Sequence, residues 1–308
     1  MDSMLQKYIL PNPFFLGSYK VYKSAHDRIL DVNGASENSG SHNHNNLLRS
    51  NTVILPEVEF SNLPDDRPED GHYFNSTVDM ELKAGQRIAE ILPKADQLLV
   101  LGGDHTVSMG TGFGISQVLD MKKVGLIYVD THGDSNTPDS SNTKSVYGYP
   151  AAVNCGFGHP EMINPFKGNF IQKICHIGLS DIDIRELEVM KLMGGMIYSC
   201  LDIVELGMKT ILDQTLEYMS DCEYIWLSMD IDALDPTFFA PLETDVPVIG
   251  GMIPRELMYI AYRVQQTQKL KVSEIVQIND IGRQTPVISL ASRLAELCLG
   301  LGSWRYGK

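Results

Sequence analysis

Short apolar runs alternate with amphipathic stretches from about residue 78 to the C-terminal end of the chain. The runs predict strands at 97–103, 124–129, 173–179, 195–199, 224–230 and 273–279. Apolar residues at helical spacing predict a helix from about Val78 and further helices near 107–121, 203–218, 254–266 and 289–301. Because alternating strands and helices are typical of βαβ units, we expect an α/β fold with a mostly parallel sheet.

The first 75 residues or so lack this regularity, and we treat residues 1–308 as a single domain with a divergent N-terminal part. Its stretch NGASENSGSHNHNN, at 33–46, is a polar loop rich in Gly, Ser and Asn. His42 and His44 could ligate a metal, although histidines in such loops are usually solvated.

The composition of the chain indicates which ligands it can bind and in which compartment it is found. The chain of 308 residues has 25 Lys and Arg against 39 Asp and Glu, a formal net charge of −14, which disfavours nucleic acid and suits a cation or cationic small molecule. Five scattered cysteines without C-x-x-C spacing suit a reducing compartment. No signal peptide or membrane span is predicted, so we expect a cytoplasmic protein.

Acids and imidazoles follow three of the predicted strands. They lie in LGGDHT (101–106), DTHGD (130–134) and SMDIDALDP (228–236). Ligands of parallel α/β sheets bind at the carboxyl ends of strands, and side chains two residues apart on a strand share a face. We therefore expect one cluster, consisting of His105, Asp130, His132, Asp134, Asp230 and Asp232.

Each motif alone also fits a turn or a helix cap, but four clustered carboxylates need cations to offset their repulsion. Oxygen ligands with two imidazoles favour hard to borderline ions such as Mn²⁺. Six such ligands suffice for two ions, which together can activate water as a nucleophile.

The motifs GGDHT, DTHGDSNTP, GLSDID and SMDIDALDP resemble those of the arginase/agmatinase (ureohydrolase) family, over about residues 92–302. The resemblance implies a three-layer α/β/α, doubly wound arginase-like fold with two Mn²⁺ per chain. One ion would be held by His105, Asp130, Asp134 and Asp230, and the other by Asp130, His132, Asp230 and Asp232. The implied reaction is hydrolysis of a guanidino or amidino C–N bond by metal-bound hydroxide, which Asp134 would orient.

Within the family the resemblance is closest to the arginases, whose amino-acid-binding loop is similar to DSNTPDSSNT. It implies that Asn136 and Thr143 contact the substrate carboxylate and that Asp183 contacts the amino group, with Ser145 and Asp181 beside them. A polar loop with ordinary turn chemistry is the alternative.

The sequence departs from the arginase pattern at two places that matter for chemistry. Tyr147 stands where arginases have a histidine proposed as a proton shuttle, and a phenol ordinarily keeps its proton at neutral pH. Gln277 stands where arginases have a glutamate that pairs with the guanidinium, and Asp280 replaces a proline nearby. The N-terminal stretch SAHDRILDVNGASENSG also lacks the family's Gly-rich segment.

These departures leave two hypotheses of different classes. The first is a manganese amidinohydrolase for which arginine or N-hydroxyarginine is the leading substrate, ahead of agmatine, guanidinobutyrate and formiminoglutamate. The second is a metal-binding but catalytically silent relative with a binding or regulatory role; a deacetylase-like hydrolase is a weaker third. The resemblance also suggests a homo-oligomer, either a trimer or a hexamer.

Overall fold

The central feature of the computed structural model is an eight-stranded sheet in which every described strand pair is parallel. The structure describes residues 6–12, 14, 29, 52–59, 61, 63–65, 67–238, 248–278 and 285–302. The polar loop at 33–46, with His42 and His44, and Asp280 lie outside these ranges. The strand order is β2-β1-β3-β8-β7-β4-β5-β6.

Six strands correspond to the predicted apolar runs, although β8 begins and ends three residues earlier than predicted, and two further strands lie near the N-terminus. The strands are β1 (Lys7–Asn12), β2 (Val53–Ile54), β3 (Gln97–Gly102), β4 (Val124–Val129), β5 (Lys173–Leu179), β6 (Met196–Ser199), β7 (Tyr224–Asp230) and β8 (Leu270–Val276). Strand β1 pairs with β3 along its whole length, so part of the N-terminal segment belongs to the central sheet.

Helices cover both faces of the sheet. They are α1 (Phe74–Ile91), α2 (Val107–Ser116), α3 (Pro150–Asn154), α4 (Pro160–Ile163), α5 (Ile184–Met193), α6 (Cys200–Leu206), α7 (Met208–Tyr218), α8 (Pro254–Gln265) and α9 (Thr285–Cys298). None of the helices in the described ranges is both long and apolar enough to cross a membrane.

Alternation along the strands sends neighbouring side chains into two separate cores. In β3, Leu98 and Val100 pack with α1 and α2, whereas Leu99 and Leu101 pack with α7, α8 and α9. Because both faces of each central strand are buried, the strands are mostly apolar, as is typical of a parallel sheet, and their few buried polar residues include Ser228, Asp230 and Glu274. This arrangement confirms the expected three-layer α/β/α architecture.

The predicted helix at 203–218 is wrong as a single element. Gly207, with φ of 78°, separates α6 from α7, because the left-handed region that glycine adopts readily breaks a helix. The helix expected at 107–121 ends at Ser116, and a short 3₁₀ turn (Met121–Lys123) leads into β4. Helix α5 was not predicted, since Ile184 and Leu192 lie exposed and blur its apolar stripe.

Candidate metal centre

The candidate ligands come from the carboxyl ends of three strands in the middle of the sheet. His105 follows β3, Asp130 follows β4, and Asp230 ends β7. Strands β3, β8, β7 and β4 are consecutive neighbours, so their ends lie side by side. At the end of β3 the chain passes so close to Phe14 that a Cβ on Gly103 would collide with the Phe14 carbonyl oxygen.

The side chains at the end of β4 converge by a different route from the one expected. Extended geometry does not continue through the motif, because Asp134 adopts a left-handed conformation with φ of 44°. The Asp130 carboxylate accepts a hydrogen bond from the His132 backbone N–H at 2.7 Å, which tightens the turn. The turn, and not strand alternation, therefore brings Asp134 back toward the cluster.

The end of β7 is built in the same way. A 3₁₀ turn (Ile231–Ala233) begins there, and the Asp230 carboxylate accepts from the Asp232 backbone N–H at 2.6 Å. Asp232 is consequently placed beside Asp230 by a local cap.

Two compact groups of ligand atoms result, and they share Asp130. One consists of His105, Asp130 and Asp230, and the other of Asp130, His132 and Asp232. The Nδ1 atom of His105 lies 2.7 Å from Asp130 and 3.3 Å from Asp230, and the Nδ1 atom of His132 lies 3.2 Å from Asp232. Asp134 is outside both groups but near the first, with its Oδ2 3.2 Å from His105 Nδ1.

Burial of the cluster shifts the pKa values of its carboxyl and imidazole groups. Burial, followed by the charges of Asp232 and Asp134, raises the pKa of Asp130 to about 7. Burial also raises the pKa of Asp230 well above its usual range. Burial alone would lower the pKa of His105, but hydrogen bonds to three carboxylates raise it well above its ordinary value.

The donor set fits divalent cations. The buried carboxylates repel one another without positive charge among them, and the buried Oδ1 of Asp232 has no hydrogen-bond partner within the described part of the chain. Oxygen and imidazole donors in this ratio suit a hard to borderline ion better than a thiolate-binding one.

Several polar groups behind the ligands were not foreseen from the sequence. The Tyr128 hydroxyl donates to Asp134 at 2.8 Å, and its ring stacks on His105 at 4.3 Å between centroids. Ser228 contacts His105 from the opposite side and donates to the buried Glu274. The sequence does carry a signal for them. Tyr128 and Ser228 each lie two residues before a ligand and therefore on the same face of the strand, and Glu274 is an acid at a position buried within β8.

All the sequence-predicted site residues lie around one cavity of about 260 Å³. Besides the ligands, it is lined by the predicted substrate and catalytic residues Asn136, Thr143, Ser145, Tyr147, Asp181, Asp183 and Gln277. Ser141, Gly148 and Glu186 also line it and were not predicted. Among the lining residues that the structure describes, seven are Asp or Glu and none is Lys or Arg, so this part of the lining favours positive charge.

The loop before α3 presents uncharged polar groups to the cavity. The Asn136 side-chain oxygen accepts from Ser140 at 2.9 Å, and the Asn136 backbone N–H donates to Gly148 at 2.9 Å. With its oxygen held in this way, Asn136 can donate through its amide nitrogen.

Across the cavity, Asp183 and Glu186 belong to the start of α5. Asp183 caps the helix by accepting from the Glu186 backbone N–H at 2.9 Å, and Glu186 accepts from the Ser135 backbone N–H at 2.9 Å. Burial raises the pKa of Glu186 to about 8. Asp183 therefore has a structural role as well as a position at the cavity.

Comparison with known proteins identifies the family of this chain. The arginase family model matches residues 36–299, which extends well beyond the motifs toward the N-terminus. The chain belongs to the arginase family. An arginase of Bacillus subtilis (strain 168) is 32% identical over 211 residues, covering 67% of this chain and 70% of the relative. An arginase of Brevibacillus brevis is 29% identical over 245 residues, covering 78% of each chain.

Comparison with solved structures leads to the same family. A crystal structure of the Bacillus subtilis arginase superposes with a TM-score of 0.79 at 27% identity, covering 97% of this chain and all of that one. The predicted family and arginase-like fold are thus confirmed. Family membership, together with the two Asp/His groups, makes the chain a metal-dependent ureohydrolase.

Proposed function

We propose that this ureohydrolase holds two Mn²⁺ ions and hydrolyses a guanidino or amidino C–N bond, releasing urea or a urea analogue and an amine. Arginine or an N-hydroxyarginine-like compound is the substrate we favour. One observation supports the proposal most directly. The Asp/His cluster and the polar residues predicted to bind substrate line the same cavity.

The proposed ligand sets are those that the resemblance implies, and each contains one of the two groups of ligand atoms found in the structure. His105, Asp130, Asp134 and Asp230 would hold one ion, and Asp130, His132, Asp230 and Asp232 the other. The bound ions would neutralise the carboxylates and activate a water molecule as the nucleophile near neutral pH. Mn²⁺ itself is proposed from the donor chemistry and the family.

The chain's own residues would position the substrate. Asn136 and Thr143, with Ser145, offer uncharged donors for a carboxylate, whereas Asp181 and Asp183 suit an ammonium group. Asp134, held through its Oδ2 by the Tyr128 hydroxyl, would accept a hydrogen bond from the attacking water and orient it.

Gln277 and Tyr147 would affect the substrate preference of the site and the transfer of a proton to the leaving amine. A neutral amide hydrogen-bonds to a guanidinium less strongly than a carboxylate does, so Gln277 favours a less basic group such as an N-hydroxyguanidine. Tyr147 can donate a hydrogen bond but is a poor proton shuttle at neutral pH, so proton delivery to the leaving amine falls to solvent or another group.

A product-release screen tests the proposal. Mn²⁺-loaded protein would be incubated with L-arginine, N-hydroxy-L-arginine, agmatine, 4-guanidinobutyrate and formiminoglutamate, and the amine and urea-type products measured by mass spectrometry. We expect turnover of N-hydroxyarginine above that of arginine and about two Mn²⁺ per chain by elemental analysis. A protein that binds no Mn²⁺ would contradict the proposal.

The second candidate function is a metal-binding, catalytically silent protein, and the positions of Tyr147 and Gln277 in the cavity wall favour it. Binding of guanidino compounds to the Mn²⁺-loaded protein by calorimetry, without product from any of them, would support it. Retention of a full set of clustered carboxylates argues for the hydrolase.

We also propose a cytoplasmic homo-oligomer, either a trimer or a hexamer. The family resemblance supports the assembly, and the five free cysteines agree with a reducing compartment. Light scattering coupled to size-exclusion chromatography would measure the number of copies.

A further inference from the structure

The two ring nitrogens of His105 face opposite surroundings. Nδ1 faces the carboxylates of Asp130, Asp134 and Asp230, whereas Nε2 lies 2.9 Å from the Ser228 hydroxyl. His105 is 2% exposed, so neither nitrogen has ready access to bulk water. The partner of Nε2 therefore influences which nitrogen can act as a ligand.

Ser228 is held in turn by Glu274, a fully buried carboxyl group in β8. Three donors converge on its Oε2: the Ser228 hydroxyl at 2.8 Å, the Ser108 hydroxyl at 3.1 Å and the Trp226 indole N–H at 3.2 Å. An indole N–H can only donate, so Oε2 is an acceptor. Burial raises the pKa of Glu274, but a proton on the other oxygen, Oε1, would leave Oε2 accepting all the same.

This arrangement sets the direction of the hydrogen bonds. A serine hydroxyl has one hydrogen, and here it is donated to Glu274. Only the lone pairs of Ser228 remain for His105, so the Nε2 atom of His105 must carry the hydrogen and donate it. In a metal-bound protein, where the imidazole keeps a single hydrogen, Nδ1 would then be the nitrogen that faces the carboxylates as a ligand.

We propose that Glu274, acting through Ser228, is a positioning device that keeps the hydrogen of His105 on Nε2 and so presents Nδ1 to the metal centre. The stacked Tyr128 ring, inclined by 10° to the imidazole, restricts the same ring to one plane. A histidine ligand whose other nitrogen is hydrogen-bonded binds metal with its orientation already set. The inference rests on the proposed metal-dependent function.

Ser228→Ala removes the acceptor for Nε2–H and leaves the cluster itself untouched. We expect the affinity of the metal-free protein for its first Mn²⁺ to fall by roughly 10–100-fold, measured by competition with a fluorescent chelator. In Zn²⁺-loaded, ¹⁵N-histidine-labelled protein, the parent should show a slowly exchanging Nε2–H of His105. That signal should be lost in Ser228→Ala but kept in a control variant that loses a buried serine hydroxyl away from the cavity.

Further variants separate positioning from stability. Ser292→Ala deletes another buried serine hydroxyl, which donates to the Ile288 carbonyl oxygen in α9, away from the cavity, and should leave Mn²⁺ affinity unchanged. Ser228→Thr keeps a hydroxyl and should restore most of the affinity. Glu274→Gln keeps an oxygen acceptor for Trp226 and Ser228, so it should lose less affinity than Glu274→Met, which has none.

The outcomes distinguish the two proposals. A parent protein that binds no Mn²⁺ would overturn the proposed function and, with it, this role toward the metal. A parent that binds Mn²⁺ tightly, with Ser228→Ala and Glu274→Met binding equally well and His105 keeping its Nε2–H, would overturn the positioning role alone.

Discussion

At the scale of single residues, Gln277 is placed by backbone geometry as much as by chemistry. It follows β8 in a left-handed conformation with φ of 58°, and its backbone N–H donates to the Gly103 carbonyl oxygen at 2.7 Å. The turn that exposes His105 is thereby tied to the residue that lines the cavity wall. A substitution at Gln277 that keeps the backbone unchanged therefore tests side-chain chemistry alone.

Gln277→Glu should raise kcat/KM for L-arginine relative to N-hydroxyarginine. A charge-assisted hydrogen bond contributes roughly 1.5–3 kcal/mol against about 1 kcal/mol for a neutral one. The difference corresponds to a relative gain of roughly 2- to 30-fold. Steady-state kinetics with both substrates would measure it.

Gln86→Glu adds the same charge on the exposed side of α1 and serves as the matched control. It should leave the ratio of the two substrates unchanged. If the ratio of kcat/KM for L-arginine to that for N-hydroxyarginine were the same in the parent and in Gln277→Glu, residue 277 would not discriminate between substrates by their charge.

Tyr128→Phe should lower kcat while preserving the fold. The phenylalanine ring keeps the stack on His105 but cannot donate to Asp134, a hydrogen bond to a charged group worth roughly 1.5–3 kcal/mol. If that bond orients Asp134 in the transition state, the loss is roughly 10- to 100-fold in kcat. Unchanged kcat at full Mn²⁺ occupancy would contradict a role for the hydroxyl in orientation.

At the scale of elements, helices α1 and α2 approach closely because α2 carries glycines on the shared face. A Cβ on Gly110 would lie 2.7 Å from the Ala84 Cβ, and one on Gly114 would lie 2.6 Å from the Ile88 Cβ. This close packing buries Glu81 of α1 completely, and neither of its carboxyl oxygens has a hydrogen-bond partner in the described structure. Burial consequently raises the pKa of Glu81 well above its ordinary value of 4.5.

The pKa shift predicts a pH-dependent loss of stability. The unfolded chain gives up the Glu81 proton near its ordinary pKa, whereas the folded protein keeps it, so folding free energy is lost as the pH rises from 4.5 toward the folded pKa. Relative to Glu81→Gln, the parent should lose up to about 1.36 kcal/mol per pH unit in this window.

Urea unfolding of both proteins in chelator across this window would measure the difference. Glu81→Gln buries an amide and can shift stability by a constant amount, so the slope of the difference with pH is the informative quantity. Parallel stability curves for the two proteins would contradict a neutral buried Glu81.

At the scale of the whole molecule, the dominant electrostatic feature is acidity concentrated at one edge of the sheet. The chain has a formal net charge of −14, and seven acidic residues within the described ranges line one cavity. Divalent cations that bind only the folded state should therefore stabilise it by mass action.

Mn²⁺ should raise the melting temperature of metal-free protein. At about 100 times the dissociation constant, the stabilisation per site is roughly 2.7 kcal/mol. Thermal melts with chelator and with Mn²⁺ would measure it, and Asp130→Asn should reduce the increment because Asp130 belongs to both ligand groups. Superimposable melts of a demonstrably metal-free sample would contradict a metal centre.

The sequence by itself determined the parts of the molecule that depend on local pattern. Strands β3, β4, β5 and β7 were predicted within a residue of their ends, because a strand buried on both faces is a continuous apolar run. The six candidate ligands were predicted to meet because parallel strands place their carboxyl ends along one edge, and the structure brings them together there.

The tertiary structure decided what depends on contacts between distant segments. β1 was missed because its six residues gain their place by pairing with β3, about 90 residues away. Asp134 reaches the cluster through a left-handed turn that strand periodicity does not encode. Ser228 and Glu274 acquire their relation to His105 only when β7 and β8 pair, since hydrogen-bond direction depends on where three side chains meet in space.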